Sequence, residues 1–139
     1  MLVKTVFLQA PLAKVWGYLT QGDKLGKWFH PAKTDMQAGE KWTIYGAQSG
    51  DPVCWGTVSE MRFEDGADVA VLRYSFTHNH LQGLETDCVW TLEAVDGGTI
   101  LTLRHYGFEA FPEEPFAMAA NHDEGWDEHF ADLRKVVCS

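Results

Sequence analysis

The last stretch of this chain constrains its fold more than any other part. Ala119, His122, Trp126, Phe130, Leu133 and Val137 recur at steps of three and four residues. That spacing predicts a helix about six turns long with one apolar stripe. Pro112-Glu113-Glu114-Pro115 precedes it and puts acidic side chains where a helix N-terminus favours them. A single stripe on a single long helix must be covered by something else, and the upstream sequence offers strands.

Leu2 to Gln9, rich in Val, Thr and Phe, reads as a first strand. Pro11 suits the first turn of a short helix that Val15, Trp16 and Leu19 carry to about Thr20, and a second short helix is expected from about Asp23 to Trp28, stopped by Pro31. The period then changes. Lys41 to Tyr45, Val53 to Phe63, Asp68 to Thr77, Thr86 to Ala94 and Thr99 to Phe108 carry β-branched and aromatic residues, separated by turn segments such as Glu64-Asp65-Gly66 and Asp96-Gly97-Gly98. Cys88, Trp90 and Leu92 alternate with Asp87, Thr91 and Glu93, and Leu101, Leu103 and His105 with Thr102, Arg104 and Tyr106, so one face is buried and one wet.

Successive hairpins followed by one long helix predict an α+β domain spanning residues 1–139. A curved antiparallel sheet wraps around the C-terminal helix, and two short helices follow the first strand. Gly56 inside a strand suggests a bend or bulge that lets the sheet curl. Gly125 inside the helix, beside Trp126, suggests that another backbone approaches closely there, because glycine costs a helix about 1 kcal/mol relative to alanine.

Composition narrows the function. A formal charge of −9 and no basic run longer than Arg134-Lys135 argue against nucleic acid as a partner. No apolar stretch is long enough for membrane insertion and the first residues lack a signal-peptide layout, so a soluble, cytoplasmic protein is expected. Cys54, Cys88 and Cys138 are odd in number and widely spaced, which reads as reduced thiols.

The order of elements resembles the START-like (SRPBCC) superfamily, and within it the branch named after the activator of the heat-shock ATPase. The residues that carry the resemblance are Pro11 to Trp16, Lys27-Trp28, Gly56-Thr57-Val58-Ser59-Glu60, Gly98 to His105 with Gly107-Phe108, and Gly125-Trp126 with Phe130 and Leu133. The resemblance implies a helix-grip fold whose cavity takes hydrophobic molecules. It also implies a range of activities, from cyclases and dehydratases to transfer and sensor proteins and a co-chaperone.

The inward-facing set expected to line that cavity is Tyr74, Phe76, Cys88, Trp90, Leu103, His105, His122, Trp126 and Phe130, each open to either of two roles, core packing or ligand contact. His105 is the candidate acid, base or hydrogen-bond anchor. The competing reading is a core imidazole satisfied by a neighbour such as a tyrosine hydroxyl or a backbone carbonyl. His122 shares the helix stripe and is placed to face it. His78 and His80 lie two apart without an evident third ligand, so no metal and no other cofactor are expected. Binding of a small apolar or amphipathic molecule leads. A cyclase-, dehydratase- or hydrolase-like enzyme using His105 is the first alternative and a co-chaperone-like interaction module the second; a homodimer is compatible with all three.

Overall fold

The computed structural model describes residues 1–78, 81, 83–111 and 115–138. The strands are β1 (Leu2–Leu8), β2 (Lys41–Tyr45), β3 (Pro52–Arg62), β4 (Val69–His78), β5 (Thr86–Val95) and β6 (Gly98–Tyr106), and the helices are α1 (Leu12–Thr20), α2 (Gly22–Leu25) and α3 (Pro115–Val137). The strands form one curved sheet in the order β1-β6-β5-β4-β3-β2, with every neighbouring pair antiparallel. The expected meander runs from β2 to β6. β1 joins it at the far edge, where Thr5 pairs with Thr102.

Local chemistry accounts for most boundaries. Val95 pairs with Gly98 across the two-residue turn Asp96-Gly97, and Gly97 sits at φ 81°, a region that glycine enters without a Cβ penalty. β6 stops at Tyr106 rather than Phe108, because Gly107 turns into the left-handed region at φ 107° and Phe108–Ala110 forms a single 3₁₀ turn. The second helix ends at Leu25, earlier than expected. Trp28 lies beyond it, where its indole Nε1 donates to the Tyr18 carbonyl at 2.7 Å. The segment 112–114, expected to open the last helix, lies outside the described residues.

Alternation puts one face of each strand inside. Cys88, Trp90, Leu92, Leu101, Leu103 and His105 have no exposed surface, and Trp126, Phe130, Leu133 and Val137 of α3 are buried with them. Trp90 sits at the centre. Its ring stacks on Phe130 at 5.7 Å between centroids, meets Trp126 edge-on at 5.4 Å, and donates its indole N–H to the Tyr74 hydroxyl at 2.9 Å. Buried side-chain polar atoms among the described residues are all hydrogen-bonded. Cys54 and Cys88 are buried free thiols and Cys138 is exposed.

One glycine expectation needs correcting. At Gly56 the β3–β4 register skips from Trp55↔Thr77 to Val58↔Tyr74, and it shifts between Val58 and Glu60. A Cβ on Gly56 would stand 1.9 Å from the Ser75 carbonyl oxygen, so the missing side chain is what lets β3 and β4 close up beneath Trp42, whose indole donates to that same oxygen at 3.0 Å. Gly125 is the reverse case, since among the described residues no heavy atom lies within 4 Å of the position its Cβ would take, and no described backbone approaches it. The polar side of α3 is also more engaged than a purely solvated face: Asp123 and Asp127 reach Lys4 of β1 at 2.9 and 2.6 Å.

Candidate functional site

A cleft of about 450 Å³ opens between α3 and the β3–β4 end of the sheet, within the range of small-molecule sites. Val53 and Cys54 come from β3, Phe76 and His78 from β4, Met118, Asn121, His122, Gly125, Trp126 and His129 from one face of α3, and Phe29 and His30 from the segment after α2. A larger hollow of about 820 Å³, beside Trp55, lies on the opposite face of the sheet, where no such group of imidazoles gathers.

The expected site residues divide between two layers. Phe76, His122 and Trp126 line the cleft, whereas Tyr74, Cys88, Trp90, Leu103, His105 and Phe130 pack behind it. His105 has no exposed surface and both of its ring nitrogens are occupied. Thr86 Oγ1 donates to the Phe76 carbonyl at 2.7 Å, so its lone pair accepts from His105 Nε2–H at 2.7 Å, while Trp126 Nε1 donates to His105 Nδ1 at 3.1 Å. Those partners fix one neutral tautomer. Burial lowers the imidazole to about 3, and His122, His78 and the N-terminal ammonium push it the same way. His105 is therefore a satisfied core imidazole; its partners are a threonine and a tryptophan, not a tyrosine or a backbone carbonyl.

His122 faces His105 as expected, with ring centroids 5.6 Å apart at 87°, but its hydrogen bonds go elsewhere. A carbonyl can only accept, so the 2.8 Å contact of His122 Nδ1 with Met118 O makes Nδ1 the protonated nitrogen. Nε2 of neutral His122 is then a lone pair, and His78 Nε2 approaches it at 2.9 Å. His78 must supply the hydrogen. Burial lowers the pKa of His122, offset in part by the bond to Met118. His30 and His129 are lowered as well, by burial and, at His129, by His30 too. Burial pushes the Cys54 thiol up to about 12, so it is no thiolate.

His30, His78, His122 and His129 thus share one cleft, and no described carboxylate, lysine or arginine lines it. The sequence reading passed over His129, although it lies three residues after Trp126, next to Phe130 of the stripe. Phe29 and His30 come from irregular chain, where no periodicity marks them. His80 lies outside the described residues, and among those described no three metal-ligating groups converge.

Solved structures similar to this fold share little of its sequence. Protein MLL2253 from Mesorhizobium loti superposes with a TM-score of 0.77 at 21% identity, over 96% of this chain and 93% of its own. CalU16 from Micromonospora echinospora gives 0.72 at 20% identity, over 97% and 74%. The Aha1 dimer from Colwellia psychrerythraea gives 0.74 at 16%, over 99% and 95%. At these identities the likeness establishes the helix-grip fold alone. No curated protein matches the chain. No described helix is long and apolar enough to cross a membrane. The model of the family described as activator of Hsp90 ATPase homolog 1-like protein matches residues 9–137, nearly the whole length, and the chain belongs to that family.

Proposed function

We propose that this chain is a cytoplasmic binding protein for a small hydrophobic or amphipathic molecule, held in the cleft between sheet and α3. The observation that carries the reading is Gly125. Glycine in the middle of a helix costs about 1 kcal/mol relative to alanine. That cost is ordinarily offset by a close approach, and here no described residue fills the space a side chain would take, which forms part of the cleft wall. The helix gives up stability to keep room. Phe29, Phe76, Met118 and Trp126 supply apolar walls, and the imidazoles supply a few polar contacts.

An enzyme acting through His105 is disfavoured by the same geometry, because both nitrogens of that ring already have partners away from solvent. An interaction module is the lesser reading: among the described residues the exposed large apolar side chains are Met1, Val3, Phe7, Val69, Val95, Tyr106 and Phe116, and none of them lines the cleft.

Native mass spectrometry of gently purified protein, followed by extraction of any adduct, tests the reading. A stoichiometric apolar adduct on the wild type, absent from Gly125→Leu, supports it. An adduct retained equally by Gly125→Leu refutes this location. The same spectra give the mass of any homodimer.

A further inference from the structure

The His78–His122 contact restricts the polar group that the cleft can receive. In the neutral protein the pair presents one N–H, on His78 Nε2, and one lone pair, on His122 Nε2, only 2.9 Å apart and satisfying each other. Both rings are half-buried in the cleft wall. A ligand head group that parts them must replace both halves of that bond: it must accept from His78 and donate to His122. A carboxylic acid does both with two oxygens. An ester, ketone or ether can only accept and leaves His122 Nε2 unpaired, and an ammonium can only donate.

The groups facing the pair agree with this choice. From β3 comes Cys54, neutral because its thiol is pushed up to about 12. From β6 comes His105, held neutral by Thr86 and Trp126. From α3 come Asn121 and, one turn beyond Trp126, His129, whose Nδ1 donates to the Trp28 carbonyl at 3.2 Å. His30 lies against His129, with ring centroids 5.5 Å apart. None of these described groups is a carboxylate that would attract a cation or repel an acid.

We propose that the cleft takes an amphipathic carboxylic acid whose head group inserts between His78 and His122, and that each carboxylate bound draws one proton from solution. This inference rests on the ligand-binding reading above and names its substrate class. The balance is simple: a carboxylate anion, one proton and the neutral pair give a complex in which His78 Nε2–H donates to one oxygen and the added proton lies between the other oxygen and His122 Nε2. No bond to carbon is made or broken.

The test is isothermal titration calorimetry of the full chain with 2-naphthoate, methyl 2-naphthoate and 2-naphthylmethylammonium, in buffers of different ionisation enthalpy. Naphthoate should bind most tightly, take up close to one proton at pH 7, and weaken about tenfold from pH 7 to pH 8. His122→Gln should abolish the proton uptake, whereas His78→Gln, which keeps an N–H donor beside an intact His122, should retain it, and both should leave the ester unaffected. In the wild type, ¹⁵N-histidine spectra should show His122 protonated at Nδ1 alone without ligand and at both nitrogens with naphthoate, a readout independent of any variant. Naphthoate and ester binding equally, without proton uptake, overturns the proposal and leaves the binding cleft standing. Failure of all three probes to bind overturns both.

Discussion

Replacing Gly125 separates an empty cleft from an unfilled packing defect. In the interior of α3 the change to alanine contributes about 1 kcal/mol through helix propensity and the reduced entropy of the unfolded chain. The usual opposing term, a clash, is missing because no described residue lies within 4 Å of the new methyl group. The expected result is a gain of about 1 kcal/mol in urea unfolding at unchanged m, with a melting temperature higher by about 3 °C. Gly125→Leu keeps the propensity gain and projects four carbons into a cleft of about 450 Å³, so it should fold at least as stably as wild type while losing ligand. Stability up and binding down together are the signature of a position kept open for a guest. A loss of stability in Gly125→Ala would mean that something does pack there. Undiminished binding by Gly125→Leu would mean that the guest sits elsewhere.

Three further outcomes follow from the buried polar network and the sheet. His105 is lowered to about 3 in the fold against 6.5 when unfolded, so between those values the unfolded chain holds the extra proton and stability falls as the solution is acidified. His105 alone should remove about 2 kcal/mol by pH 5 relative to pH 8 in denaturant titrations, a dependence that His105→Gln should flatten; a wild type equally stable at both pH values would contradict it. Thr86→Val strips the partner from a buried imidazole N–H and should cost about 2–3 kcal/mol by urea unfolding, and a change under 1 kcal/mol would show that His105 finds another acceptor. Gly56→Ala places a methyl group 1.9 Å from the Ser75 carbonyl oxygen and should destabilise the sheet by about 1–3 kcal/mol or prevent folding, whereas wild-type stability would show that β3 and β4 can separate there.

The sequence made some of these features visible and hid others, for identifiable reasons. β5 and β6 were legible because their alternation is strict and Asp96-Gly97 can hardly be anything but a tight turn. The stripe on α3 was legible because 3.6-residue periodicity survives over 23 residues. The position of β1 was not, since no local pattern says which edge of a meander a detached strand will join. The inward set named the right face of the sheet but mixed wall with foundation: Trp90 and Trp126 have the same alternating or helical signature, and only packing decides that one is enclosed by Phe130 and Tyr74 while the other reaches the cleft. Gly125 was misread because a sequence records a missing side chain without saying whether the space beside it is filled. The pairing of His78 with His122 joins residues 44 apart through the curvature of the sheet, which no spacing rule encodes.

The place of β1 bears on how the protein is made. Thr5 pairs with Thr102, a separation of 97 residues, so when β1 leaves the ribosome its only partner strand has yet to be synthesised. At bacterial or eukaryotic elongation rates that gap lasts about 5–20 s, during which an apolar strand with unpaired backbone groups is open to chaperones or to another nascent copy. Docking of β1 closes the far edge of the sheet, and Lys4 then clasps α3 through Asp123 and Asp127, so a strand translated ahead of the rest of the sheet is among the last to be secured.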